Sequence, residues 1–149
     1  MESYSKIATE HFKSGYNCSQ SVFLTFAPLF GYDKETALKL SSSFGGGMGR
    51  LREVCGAVSA MFAIAGLKYG YTSPNDDEAK AKHYELIQNL ADKFKAQTGS
   101  IICRELLNLE NDGADSPIPS KRTPEYYKER PCEFFVKLAS EIIEKELLK

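Results

Sequence analysis

The most apolar part of the chain lies within RLREVCGAVSAMFAIAGLKY, residues 50–69. Its apolar run, Val54–Leu67, is shorter than the ~20 residues that a membrane-spanning helix needs. Small residues recur along one side of it, at Gly56, Ala57, Ala60 and Ala63. A neighbouring backbone can approach such a side closely, so we predict that residues 50–69 form a buried central helix enclosed by the rest of the chain.

Helical periodicity and capping residues indicate helices on both sides of this segment, and no alternating strand pattern competes with them. Asn17 followed by Gln20 is typical of a capping box, and Asn75 followed by Glu78 suggests a second one. We therefore predict an all-α, single-domain bundle (residues 1–149) of about six or seven helices around the central one. The predicted helices cover about residues 4–14, 18–30, 36–43, 50–69, 76–98, 100–109 and 131–147.

Two segments are predicted to be irregular. Residues 44–50 are FGGGMGR, and four glycines in five positions make a helix there costly. We predict a non-helical loop next to the central helix. It lacks the G-K-[ST] ending of a phosphate-binding loop and follows no predicted strand, which favours a structural turn. The second irregular segment, Glu110–Thr123, contains Pro117 and Pro119.

Composition excludes several functional classes. The 149 residues carry a formal charge of -1, without the clustered basic excess of nucleic-acid-binding proteins. The N-terminal residues MESYSKIATEHF include neither the apolar segment nor the cleavage site of a signal peptide. We expect a cytoplasmic protein that binds neither nucleic acid nor membrane, and the sequence leaves its oligomeric state open.

The cysteines are the candidate functional residues, and cytoplasmic thiols are kept reduced. Three of the four fall at predicted helix starts: one directly follows Asn17, one directly follows Pro131 and one lies three residues after Ser100. Free N–H groups and the helix dipole lower the pKa of a thiol there from ~8.5 toward 3.5–7.5. The fourth is predicted to lie inside the central helix. In chain order they are Cys18, Cys55, Cys103 and Cys132.

In this order and context, the chain resembles the family of redox-active proteins named for its C, GCAxxG, C, C pattern. One departure is Ala60, which stands where the pattern has its closing glycine. The resemblance implies that the four cysteines form one redox site, without implying a substrate. The matching stretches are Gly15-Tyr16-Asn17-Cys18-Ser19-Gln20, the glycine loop through Arg50, Glu53-Val54-Cys55-Gly56-Ala57-Val58, Cys103-Arg104-Glu105-Leu106 and Cys132.

Three functional hypotheses remain open at this point. In the first, the protein cycles between dithiol and disulfide, with Cys18 or Cys132 as the attacking thiolate, Cys55 as a resolving thiol, and a partner protein or small thiol as redox partner. In the second, all four cysteines hold an iron–sulfur cluster or zinc, although no C-x-x-C motif is present. In the third, the chain is a helical interaction module whose cysteines belong to the core.

Overall fold

A computed structural model describes residues 3–109 and 113–148 and confirms the all-α fold. This part of the chain contains eight α-helices besides a single turn at Gly45–Met48, and a 3₁₀ turn at Ala27–Phe30 extends the second helix. The helices are α1 (Tyr4–Lys13), α2 (Cys18–Phe26), α3 (Lys34–Ser42), α4 (Gly56–Tyr69), α5 (Asp77–Thr98), α6 (Cys103–Leu106), α7 (Pro124–Glu129) and α8 (Cys132–Leu147).

Helix α4 is central, as predicted. It packs against α2, α5 and α8, while α1 lies across α2 and α8. Its small residues Gly56, Ala57 and Ala60 are buried and allow close packing, whereas Ala63, predicted on the same side, is exposed. No helix in residues 3–109 and 113–148 is both long and apolar enough to cross a membrane.

The predicted start of the central helix at Arg50 is wrong, because α4 begins only at Gly56. The preceding residues instead pair with the segment before α6, through an isolated antiparallel bridge between Val54 and Ile102. The backbone N–H groups of Cys55 and Cys103 each donate to a carbonyl across this pairing, at 2.8 and 2.6 Å. This non-local contact outweighs the local helical preference and places the starts of α4 and α6 side by side.

The glycine segment is non-helical in its dihedral angles, as predicted. Hydrogen bonds close one turn at Gly45–Met48, but Gly46 and Gly47 both have a φ of 68°. Met48, Gly49 and Arg50 continue this run, with φ values of 68°, 61° and 67°. Five successive residues are therefore left-handed, a conformation that glycine adopts without steric cost and other residues rarely adopt.

Other predicted boundaries need correction. Helix α5 is capped by Asp76, whose side chain accepts from the N–H of Ala79, so the predicted Asn75 cap is wrong. Helix α6 is much shorter than the predicted 100–109, because it ends when Asn108 takes a positive φ of 54°.

The predicted loop 110–123 precedes a helix that was not expected. Residues 110–112 lie outside the described residues, and 113–123 are irregular, as predicted. Helix α7 follows, with the Thr123 side chain accepting from the N–H of Tyr126 and Pro124 in the first turn. Pro131 is the N-cap of α8, which therefore begins at Cys132, one residue later than predicted.

Candidate functional site: a cysteine cavity

All four cysteines line one cavity of about 260 Å³, here called the cysteine cavity. Cys18, Cys103 and Cys132 are the first residues of α2, α6 and α8, which confirms their predicted places at helix starts. Cys55 is the N-cap of α4, so the prediction that it lies inside that helix is wrong. All four are free thiols, Cys55 and Cys103 buried, Cys18 and Cys132 half-buried.

Cys18 lies where three backbone segments converge. The Cys55 thiol and the N–H groups of Ser19, Gly46 and Gly56 all lie close enough to its sulfur to stabilise a thiolate. These donors stabilise the thiolate, with Cys55 contributing most, and together they outweigh burial. They lower the pKa of Cys18 to about 6. The capping box that begins α2, between Asn17 and Gln20, fixes the position of Cys18.

The close approach of α4 to Cys18 depends on a glycine. A Cβ atom at Gly56 would lie 2.7 Å from Cys18 Sγ and 2.6 Å from the carbonyl oxygen of Phe44. Both distances are far below van der Waals contact. The glycine loop also contacts another cysteine, since a Cβ at Gly47 would lie 2.6 Å from Cys103 Cβ. The segment Cys55-Gly56-Ala57 and the glycine loop therefore let backbone amides and thiols share a small volume.

The other three thiols have raised pKa values. The pKa of Cys55 lies well above its usual value, first because its thiol hydrogen-bonds to Cys18 and then because it is buried. Burial also raises the pKa of Cys103, against a hydrogen bond from Arg52. For Cys132, burial and the nearby charges of Cys18 and Cys103 raise the pKa to about 12. The predicted low pKa at helix starts is therefore wrong for Cys103 and Cys132.

Arginines surround the thiols. Arg52 is buried, with 4% of its side chain exposed, and its Nη1 donates to Cys103 Sγ at 3.6 Å. Its Nε donates to the Asp115 carboxylate at 2.8 Å, and Arg50 lies 3.9 Å from the same carboxylate. Through these contacts, residues 115–120 are held beside the cavity, where Pro117 lines it.

Helix α7 supplies an aromatic and cationic wall. Tyr126, in this helix, lines the cavity. Arg122 and Arg130 both lie over its ring, with guanidinium carbons 5.1 and 5.7 Å from the ring centroid. Tyr127 instead packs edge-on against Phe12 at 5.9 Å, which places it in the support of the cavity.

The comparisons with known proteins agree with the geometry. Residues 16–146 match the family described as "Putative redox-active protein (C_GCAxxG_C_C)". The chain belongs to this family. The matched range includes all four cysteines, the glycine loop of residues 44–50 and the segment around Gly56. Comparisons with curated proteins and with solved structures gave no significant match.

In the described part of this C_GCAxxG_C_C chain, no group of three or more His, Cys, Asp or Glu side chains is placed to hold a metal ion. The four thiols share one cavity, as the resemblance implies for a single redox site. The metal-site and interaction-module hypotheses stay predictions.

Sequence reasoning missed the cationic residues of this family member. Arg52, Arg122 and Arg130 come from three distant segments and share no local motif. Only the tertiary fold brings them to one cavity. A local signal did exist for α7, because Thr123 followed by Pro124 is a typical helix start.

Proposed function

We propose that the protein is a thiol–disulfide oxidoreductase in which Cys18 attacks and Cys55 resolves. One observation carries this proposal: Cys18 and Cys55 line the same cavity, and the backbone at Gly56, next to Cys55, approaches Cys18 Sγ so closely that a Cβ there would lie 2.7 Å from it. Preorganised N–H donors favour a thiolate, which is the nucleophile of disulfide exchange. A second thiol beside the first is what a two-electron dithiol reaction requires.

The reaction has two steps. Cys18 Sγ⁻ attacks one sulfur of a substrate disulfide RSSR′, forming a Cys18–S–S–R bond while R′S⁻ leaves and takes a proton from water. The Cys55 thiol then loses its proton and attacks Cys18 Sγ, so that RS⁻ leaves and is protonated. The products are a Cys18–Cys55 disulfide, RSH and R′SH. The protein dithiol has lost two electrons and the substrate disulfide has gained them.

The raised pKa of Cys55 fits its role as the resolving thiol. Cys55 has a raised pKa while Cys18 is ionised, so it stays protonated until the mixed disulfide removes the Cys18 charge. Loss of that charge removes two of the causes that raise the pKa of Cys55, its hydrogen bond to the thiolate and the Coulomb repulsion. Cys55 then ionises more readily, which times the second step after the first.

Disulfide mapping tests the proposal. Reduced protein is treated with one equivalent of hydroxyethyl disulfide at pH 7, quenched with acid and digested for mass spectrometry. We expect a Cys18–Cys55 link in the wild type. In Cys55→Ala we expect a mixed disulfide that accumulates on Cys18, because no resolving thiol is in contact with it.

Cys132→Ala is the matched control, since it removes another cysteine of the same cavity. It should still form the Cys18–Cys55 link. A Cys18–Cys132 or Cys18–Cys103 link in the wild type would show that the resolving thiol has been misassigned. If Cys18 remained reduced while another cysteine reacted, the proposed nucleophile would be wrong.

A further inference from the structure

The cysteine cavity has a pronounced imbalance of charge. Its lining includes four arginines and no Asp or Glu among the described residues: Arg50, Arg52, Arg122 and Arg130. One carboxylate, Asp115, pairs with two of them, and the Cys18 thiolate adds one further negative charge. The cavity therefore keeps an excess of positive charge when the protein is reduced.

Two of these arginines have structural partners that use their donors. Arg50 donates from Nε to the carbonyl of Ser116 at 2.6 Å and from Nη1 to Ser120 Oγ at 3.4 Å. Arg122 donates from Nη1 to the carbonyl of Phe12 and from Nη2 to that of Tyr16, both at 3.0 Å. These two side chains hold the walls of the cavity together and have little capacity left for a ligand.

The other two arginines have unused donors. Arg52 Nη2 is buried and has no hydrogen-bond partner among the described residues. Leaving a buried charged donor unpaired is costly, so such a group marks a place where a partner is missing. The Arg130 guanidinium contacts the ring of Tyr126 and has no hydrogen-bonding or ion-pair partner in residues 3–109 and 113–148. Both side chains line the same cavity as Cys18.

The cavity also limits the size of a ligand. Its volume of about 260 Å³ lies below the ~300–1,000 Å³ of pockets that hold drug-sized molecules. Apolar side chains, including Leu106, Leu107 and Pro119, complete the lining and suit methylene groups and sulfur. A folded protein partner cannot enter such a space, whereas a short aliphatic molecule can.

We propose that the substrate of the Cys18–Cys55 pair is a small anionic disulfide, whose carboxylates bind Arg130 and Arg52 Nη2. This inference rests on the proposed thiol–disulfide function and adds its substrate class. The dithiol gives two electrons to the substrate, the S–S bond breaks, and two small carboxylate-bearing thiols leave. A dithiol reductant, such as dithiothreitol in the assay, restores the Cys18–Cys55 dithiol by the same exchange in reverse.

Three probes that differ mainly in charge test the substrate class. Dithiodipropionate is a dianion, hydroxyethyl disulfide is neutral and cystamine is a dication. The rate of Cys18 oxidation by each is divided by its rate with free dithiothreitol at the same pH, which removes intrinsic reactivity. Because a cleft of one charge sign raises the encounter rate of its counter-ion by 10–10³, we expect the dianion to react at least about tenfold faster than the neutral probe. Cystamine should be slowest.

Charge-removing variants locate the effect. Arg130→Gln should reduce the ratio of the normalised dithiodipropionate rate to the normalised hydroxyethyl disulfide rate to about twofold or less. Lys128→Gln is the matched control, because Lys128 is an exposed cation in α7, the helix that Arg130 caps, and it should keep the full preference. Equal loss in both variants would show general surface attraction and overturn the assignment to Arg130.

A non-reducible ligand separates the substrate class from the redox function. Suberate is dithiodipropionate with both sulfurs replaced by methylene groups. It should slow alkylation of Cys18 by neutral iodoacetamide, whereas octanediol should not. Equal protection by the two would overturn the anion site. If suberate protects and no disulfide oxidises Cys18, the proposed function fails while the anion site stands. If all three disulfides react at equal normalised rates, the substrate class fails and the redox function stands.

Discussion

Two regions of the cysteine cavity share a local geometry and differ in their chemistry. Cys18 and Cys132 are both the first residue of a helix, and both are half-buried. The pKa of Cys18 is lowered to about 6, whereas that of Cys132 is raised to about 12. Each thiol therefore lies at the positive end of a helix dipole, so the dipole does not explain why their pKa values shift in opposite directions.

The difference lies in donors that come from other segments. The Cys55 thiol at the start of α4 contributes most to the lowered pKa of Cys18. The N–H groups of Gly46 in the glycine loop, Ser19 in α2 and Gly56 in α4 add to it. At Cys132, burial opposes ionisation most, and the charges of Cys18 and Cys103 oppose it further. A thiolate site in this fold is therefore a product of tertiary packing, in which two helix starts and a left-handed loop meet.

The largest expected effect is the difference in reactivity between these two thiols. At pH 7, pKa values of 6 and 12 give thiolate fractions that differ by about five orders of magnitude. The lower intrinsic nucleophilicity of the more acidic thiol offsets about half of this on a logarithmic scale. We expect Cys18 to alkylate about a hundredfold faster than Cys132, measured by timed iodoacetamide labelling and mass spectrometry of each peptide.

The pH dependence checks the same comparison. Labelling of Cys18 should level off above about pH 7, one unit above its pKa of about 6, because most of the thiol is then ionised. Labelling of Cys132 should continue to rise to the highest pH at which the protein stays folded. Parallel profiles for the two thiols would mean that the converging N–H groups have no special effect on Cys18.

Replacing Gly56 disturbs the close approach of α4 to Cys18. In Gly56→Ala, the new methyl group would overlap Cys18 Sγ and the Phe44 carbonyl, so α4 must move away. We expect a loss of about 1–3 kcal/mol in the free energy of unfolding, as for other overpacked sites, and slower labelling of Cys18 at pH 7. Urea unfolding and the labelling assay measure the two effects.

Gly66→Ala is the control in the same helix. A Cβ at Gly66 would meet no atom within 4 Å, so only helix propensity changes. That should stabilise the protein by about 0.5–1 kcal/mol and leave Cys18 labelling unchanged. If both variants behaved alike, close approach at Gly56 would not be what shapes the site.

The sequence predicts those parts of the site that depend on local rules. Asn17 and Gln20 form the expected capping box, so the place of Cys18 at the start of α2 follows from neighbouring residues alone. The glycine segment is left-handed where the sequence predicts that a helix is too costly. The family resemblance adds that all four cysteines belong to one site, and they do line one cavity.

What the sequence could not predict depends on contacts between distant segments. Residues 50–55 have an ordinary helical composition, yet they are not helical: Val54 pairs with Ile102, and Cys55 is an N-cap. The opposite pKa shifts of Cys18 and Cys132 depend on burial and on donors elsewhere in the chain. Part of the positive charge of the cavity likewise depends on the tertiary fold, since Arg122 and Arg130 flank α7.

The smallest expected effect concerns stability, and it extends the comparison to the whole molecule. The lowered pKa of Cys18 adds stability that is fully present above the unfolded-state value of ~8.5 and is lost as the pH falls toward about 6. From pH 7 to 8, the wild type should therefore gain about 1 kcal/mol in unfolding free energy relative to Cys18→Ser. Cys132→Ser should show no such gap in that range.

Above pH 9, Cys132 rather than Cys18 should set the difference in stability between the wild type and the variants. The raised pKa of Cys132 means that its thiol ionises in the unfolded chain before it does so in the folded one, so it costs the wild type stability as the pH rises. Cys132→Ser removes that cost, and its stability should fall less steeply than that of the wild type between pH 9 and 10. Urea titrations at each pH measure both slopes. Equal slopes for the wild type and both variants would mean that folding shifts the pKa of neither thiol. The donors around Cys18 would then have no effect on its ionisation.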